Sequence, residues 1–534
     1  MGGRLPPSTQ SFERRALNRV TFGARAVDVA YAQRIGWAAW VGEQLNPPAG
    51  DDADLATHLA AQRWPIKYPA GNPDLRQTWA AVDEVRPLNY LQATAAQLFK
   101  LTQGQGFSIN PGEVQRVFDE LLAATLIRNA HARFQVREFM TDFWLNHFSI
   151  GRDKNIIATT QLMAYDRDVI RPNALGNFRT FLEAVATSPS MLLYLDNYLS
   201  SAGTPNENYA RELQELHTLG GGAYLGTAPP ANGGSGVDAP GFTDADIIQA
   251  SRALSGWTLD FGQAFGGVQL KADGSFLYSP YQHNPNAGKF LGVDLSGLTA
   301  DMAQGRAVLD IVAAHPATTN FICTKLCRRI FGDVPPPSVL DRAKAAWTAN
   351  QKAPNQIAKV LEAILLGGDE VGTLPNVKLR RPYERVVAMF RTTDMVVKAC
   401  NYLYLLLSPI GDCLGAWQPP NGRPDVNSYW MTTGPLLSAV NLSFRTGFWP
   451  EIATSLMAQT PEPDSKSTTG IVDYWVTRMI GAEVSSSTYD ALIKTLGGIT
   501  FAASDLAGPY AKGIEQRLID LVSLIATTAE FSYR

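Results

Sequence analysis

From Glu113 to Phe148 the apolar residues Val114, Val117, Phe118, Leu121, Leu122 and Leu126, then Phe134, Phe139 and Phe143, recur at threes and fours. That spacing lines one stripe of a 3.6-residue helix, and such a stripe has to be covered by other helices. A chain of 534 residues exceeds what one ordinary core holds. The expectation is therefore a mainly α fold, a large multi-helix orthogonal bundle with a small β-hairpin insertion. It is read either as two closely packed halves or as one large helical domain carrying insertions. In the first division residues 10–220 form an N-terminal helical half, 221–241 a flexible Gly/Pro-rich loop and 242–534 a C-terminal helical half.

Local signals refine this outline. Phe12 to Trp40 fits two or three helices with a break at Gly23, and Pro47-Pro48-Ala49-Gly50-Asp51-Asp52 ends the segment. Further helical patterns cover Thr160–Val169, Asn177–Thr187, Asp301–Phe331 and Ser338–Leu366, and Ser188 is placed to cap the turn after Thr187. Thr243 with Asp246 three residues on reads as a capping-box start for a helix running to about Trp257. Val268–Lys271 and Ser275–Tyr278 flank an Asp273-Gly274 turn, the signature of a hairpin near 268–278. No fixed-period repeat is present.

Composition excludes several classes. Apolar residues make up 45% and charged residues 18%, with a net charge of -3, the profile of a folded globular chain. No Lys/Arg run marks a nucleic-acid surface. The longest apolar runs, such as Tyr402–Leu407, fall far short of the ~20 residues that span a bilayer. Gly-x-Ser-x-Gly, Walker and Rossmann signatures are absent, which disfavours α/β-hydrolase and nucleotide chemistry. Cys323 and Cys327, four apart, read as small core residues, while Cys400 and Cys413 flank a Pro-containing turn that a disulfide can close in an exported protein. The opening Met1–Ser8 has no apolar leader, which also suits a start just after a removed one.

The chemistry-bearing segment is Asn206 to Gly220. On a helical wheel Asn208, Arg211, Glu212 and Glu215 share one stripe, with Tyr209, Leu213, Leu216 and His217 opposite. Two carboxylates one turn apart, held by an Asn and an Arg, can divide acid and base duties or bind a metal, and each raises the other's pKa. The alternatives are a buried network, or a solvated face whose Arg211–Glu215 pair contributes only ~0.2–0.5 kcal/mol. His147, beside Asp142 and Asn146, can add an imidazole from a second helix. His283 and Lys289 lie in irregular backbone, where Lys289 can meet an anionic group and His283 can carry a proton or a metal. His315 precedes Pro316 and is expected to end a helix, where an imidazolium suits the dipole; His58 and His131 are expected at the surface. Eleven Trp and eighteen Tyr, Trp257 among them, can line a sugar cleft or fill a core.

Five segments resemble the bacterial domain-of-unknown-function family 1800: Arg15–Gly23, Phe143–Phe148, Asn206–Gly220, Ala253–Trp257 and His315–Thr318. The resemblance covers nearly the whole chain. It implies a mostly helical bacterial protein, usually exported and often accompanying exported proteins similar to sulfatases and alkaline phosphatases, and it supplies no reaction. The family pattern often has Phe where this chain has His217.

The functional expectation is an exported, periplasmic or extracellular hydrolase of a polysaccharide or other polymer. Glu212, Glu215, Arg211, His147 and His283 are its candidate catalytic residues, and Asn208, Asn146, Lys289 and Trp257 its candidate substrate contacts. A divalent metal held by His147, Glu212, Glu215 and His283 is the candidate cofactor. Glycosidic chemistry places its carboxylates across the scissile bond, so Asp142, Asp166 or Asp246 is then needed as partner. The rival readings are a metal-dependent oxidoreductase using iron, manganese or zinc, and a non-enzymatic scaffold or binding protein of the cell envelope.

Overall fold

A computed structural model describes residues 9–227, 234–262, 270–446 and 455–534. Three helices, Phe12–Val20, Ala26–Ile35 and Trp37–Gln44, open the chain as the Gly break anticipates. The long apolar stripe becomes Pro111–His131 and Gln135–His147. Asn110 caps the first of these by accepting from the Gly112 amide at 2.8 Å, and Pro111 presets its first turn. The Thr243 capping box forms as read: the Thr243 amide and hydroxyl donate to Asp246 Oδ2 at 2.8 and 2.7 Å, starting Asp244–Ala253. Among the described residues no helix is long and apolar enough to cross a membrane.

The centre of the molecule is Pro382–Thr392, a helix in which every residue is buried. Pro111–His131, Thr433–Thr446 and Ala511–Thr527 pack around it. A helix covered on all sides has no solvent face for its ionic groups, so they must be paired internally. Glu384 takes the guanidinium groups of Arg329 and Arg381, the latter at 3.2 Å. Asp142, from Gln135–His147, is shared by Arg381 at 2.6 Å, Arg423 at 2.8 Å and Arg329 at 2.9 Å. The core is thus apolar around its margin and ionic along one seam that joins early and late parts of the chain.

Strands are short. Trp64–Tyr68 pairs antiparallel with Val82–Arg86, and Lys289–Phe290 with Val293–Asp294. Phe276–Tyr278 is a strand as expected, but its partner is Trp257–Leu259 instead of the segment before the Asp-Gly turn. Of that segment, 268–269 lie outside the described residues, and Leu270 and Lys271 are not in a strand. The physical reason is anchoring: the Lys271 and Ala272 amides donate to the buried Asp260 carboxylate at 2.8 and 3.0 Å and so are not offered to a neighbouring strand.

His315 ends the helix Ala303–Ala314 as expected but in another role, and His58 and His131 are half-buried instead of on the surface. His315 is the N-cap of Pro316–Phe331: its Nδ1 accepts from the Ala317 amide at 3.0 Å while Nε2–H donates to the Ala239 carbonyl at 2.8 Å. That ring is neutral, and burial lowers its pKa, so it serves the following helix's start and not the preceding helix's dipole. His58 and His131 are packed together, with ring centroids 4.9 Å apart, and hold the backbone of Val397 between them. His58 Nε2–H donates to its carbonyl at 2.9 Å and its amide donates to His131 Nε2 at 3.1 Å. Cys413 carries a free, buried thiol, so the bridge to Cys400 is not formed; Cys323 and Cys327 are free and buried, as core residues.

Candidate functional site

The motif segment begins as the helix Glu207–Glu212, capped by Asn206, which accepts from the Asn208 amide at 2.8 Å. It then widens into a π-turn over Leu213–His217. Such a turn holds one residue more than an α-turn and is enriched at functional positions. Tyr209, Leu213 and His217 are buried, as the wheel requires, and Leu216 is half-buried. On the other side Asn208 is exposed, and Arg211, Glu212 and Glu215 are half-buried to exposed.

The wider turn changes the partners on the polar side. Arg211 pairs with Asp244 at 3.4 Å and not with Glu215, and Asp244 also accepts from Tyr224 Oη at 2.9 Å. Among the described residues neither Glu212 nor Glu215 accepts a hydrogen bond or forms an ion pair. Burial pushes the Glu212 carboxyl pKa up, the charge of Glu215 pushes it the same way, and Arg211 opposes them. Tyr194 lies within reach of the Glu212 charge and donates its hydroxyl to the Gln418 carbonyl. The turn closes where the Gly220 amide donates to the Gln214 carbonyl at 3.0 Å.

His147 lies beneath this turn in an aromatic setting of Phe143, Trp144, Phe148 and Phe321. Its Nε2–H donates to the His217 carbonyl at 3.1 Å, which leaves Nδ1 bare to accept from Lys325 Nζ at 2.9 Å. Burial first, then the charge of Lys325, holds its pKa well below the usual imidazole value. The His217 ring lies edge-on to Phe148 at 5.2 Å with both nitrogens buried and unpartnered, so it packs as an aromatic ring would. Its pKa is pushed down to about 3 by burial and by Lys325.

Several expected participants are committed elsewhere. Asn146 clamps a loop: its Nδ2 donates to the Arg423 carbonyl at 3.0 Å and its Oδ1 accepts from the Arg423 amide at 2.7 Å. Trp257 is fully buried, a strand residue of the core and not a cleft wall. His283 donates Nδ1–H to the Ser255 carbonyl at 3.0 Å, and Lys289 is exposed on its two-residue ribbon. Among the described residues no hydrogen bond or ion pair links either to Glu212 or Glu215. Asp142 is held by three arginines, Asp166 by Arg171 at 2.9 Å, and Asp246 by its cap and by the Leu291 amide at 2.7 Å. None of the three is a free partner carboxylate.

The four-residue metal set is not assembled either. His147 has both ring nitrogens engaged, and among the described residues no group of three or more His, Cys, Asp or Glu is gathered to hold a metal ion. The residues the motif reading did not name are Tyr194, Asp244 and Lys325. Lys325 had a signal, since it interrupts the apolar helical run Phe321-Ile322-Cys323-Thr324-Lys325-Leu326-Cys327.

Fold and site together define a mainly α-helical protein in which the carboxylates of Glu212 and Glu215, unpaired among the described residues, sit where a helix widens into a π-turn, above a buried imidazole and a half-buried amine. Residues 15–533 match the family described as Protein of unknown function (DUF1800), and the chain belongs to that family. No curated protein and no solved structure matches it.

Proposed function

We propose that the chain is an exported hydrolase of a polymer, a polysaccharide foremost, that works by carboxylate acid/base chemistry at Glu212 and Glu215. The observation that carries this reading is the pair itself: two half-buried carboxylates one turn apart that, among the described residues, accept no hydrogen bond and form no ion pair. Asp142 and Glu384, buried carboxylates of the ionic seam, are by contrast each paired with arginines. In the proposed reaction Glu212, whose pKa is raised, gives its proton to the leaving oxygen. Glu215, or Asp244 across the Arg211 bridge, takes a proton from the attacking water. Arg211 orients Asp244 and Asn208 offers an exposed amide to the substrate. The metal-dependent oxidoreductase reading has no gathered ligand set among the described residues to support it, and the envelope scaffold is the outcome if no turnover is found.

The test is release of reducing ends from a panel of neutral and acidic polysaccharides. Glu212→Gln and Glu215→Gln are each expected to lower kcat by about 10²-fold or more. Because the folded pKa of Glu212 is raised, the ionised form is penalised once pH exceeds that value. Glu212→Gln removes the penalty, so at pH 7 its Tm is expected to equal or exceed that of the parent, which separates lost chemistry from lost fold. Equal rates for parent and variants, or no product from any polymer, would overturn the proposal.

A further inference from the structure

Lys325 is a half-buried amine. Among the described residues no carboxylate lies within ion-pair distance of its Nζ. Asp425, whose charge acts on it, is itself paired with Lys378 at 2.8 Å. The amine lies over the Phe321 ring, 5.2 Å from its centroid, and its hydrogen-bond partner is the bare Nδ1 of His147 at 2.9 Å. That nitrogen is kept bare by the His217 carbonyl, which takes the opposite N–H. An ammonium placed among aromatic rings and beside two imidazoles loses hydration with only the distant charge of Asp425 in return, so a larger share of the amine is uncharged there than in an exposed lysine. A desolvated lysine beside a proton acceptor has the parts of an amine nucleophile.

We propose that Lys325 is a nucleophilic amine that condenses with an aldehyde or ketone group, with His147 as its proton carrier, in a second chemical centre separate from the Glu212–Glu215 pair. The Nζ lone pair forms a bond to the carbonyl carbon. The proton shed by nitrogen passes to His147 Nδ1 and on to the carbonyl oxygen. A further proton from solvent, relayed by the same imidazole, lets that oxygen leave as water, and a protonated imine remains on Lys325. No electrons are gained or lost. Burial of His147 makes its transient imidazolium strongly acidic, so the proton is passed on and not retained. The groups facing the amine are His147 and His217, both held neutral, and Asp425, whose attraction opposes the burial that lowers the pKa of Lys325 to about 8.

The folded full chain is treated with limiting acetaldehyde and sodium cyanoborohydride from pH 6 to 10, and ethylation of each lysine is followed by peptide mass spectrometry. At pH 7 Lys325 is expected to react at least ten-fold faster than the exposed Lys289, because roughly a tenth of an amine with pKa about 8 is uncharged at that pH, against about 0.04% of an ordinary lysine amine with pKa ~10.4. Its rate is expected to be half-maximal at about pH 8. His147→Phe is expected to slow Lys325 several-fold and leave Lys289 unchanged. Should that variant fail to fold, the Lys325-to-Lys289 ratio in the parent protein decides alone. A Lys325 that reacts no faster than Lys289 across the range would overturn the proposal, as would a folded His147→Phe with an unaltered ratio. The outcome is independent of any polymer hydrolysis at Glu212.

Discussion

Three guanidinium groups close on Asp142, and the carboxylate is fixed deep in the protein with only a small edge exposed. Burial pushes its pKa up, but the charges of Arg423, Arg381 and Arg329 outweigh this and hold it far below the usual carboxylate range. Asp142→Asn keeps the shape and removes the charge, leaving three cations to repel one another. The expected cost is about 3–5 kcal/mol in urea-induced unfolding at pH 7. A depressed folded pKa contributes stability that is complete above the unfolded value and is lost as pH falls through the folded one. The deficit of Asp142→Asn should therefore shrink below about pH 4. A variant as stable as the parent at pH 7 would show that the arginines are satisfied without the carboxylate. Nothing in the Asp142-Phe143-Trp144-Leu145-Asn146-His147 string distinguishes this role from a catalytic one. The arginines that decide the matter lie between 187 and 281 residues away in sequence, and only the fold brings them in.

Among the elements, the π-turn Leu213–His217 sets the candidate site. Its exit depends on Gly220, whose φ is +89° and whose missing Cβ would stand 2.8 Å from Phe321. Both backbone conformation and space forbid a side chain there. Gly220→Ala is expected to lower stability by about 1–3 kcal/mol and to displace the turn, reducing any Glu212-dependent activity more than Tm alone explains. A Tm unchanged within a degree would count against this account. Much at this scale was legible from sequence, because caps and helical stripes are local: Ser188 and Thr243 each start the helix expected of them. The π-turn was not legible, since an α-wheel drawn through Asn208, Arg211, Glu212 and Glu215 has no place for an extra residue. Hence the Arg211–Glu215 pair of the solvated-face alternative does not form, and Arg211 meets Asp244. His315 does end a helix, but the role of its ring was not legible, because one residue joins two helices and its Nδ1 caps the second.

At the scale of the molecule, the ionic seam makes the two parts of the chain interdependent. Asp142 and Arg329 meet Arg381, Glu384 and Arg423 around a helix that is buried on every side. Calorimetry is expected to show one unfolding transition with equal calorimetric and van't Hoff enthalpies, and residues 10–220 expressed alone should not fold. Two resolved transitions would mean that the halves hold their own cores. The same seam bears on how the chain is made. Asp142 and Arg423 are separated by 281 residues, so at ~5–20 residues per second the carboxylate leaves the ribosome about 15–55 s before its last arginine. Through that interval the early helices carry uncovered apolar faces and an unpaired buried-type carboxylate. The nascent segment around Asp142 therefore stays open to chaperones until Arg423 has been translated.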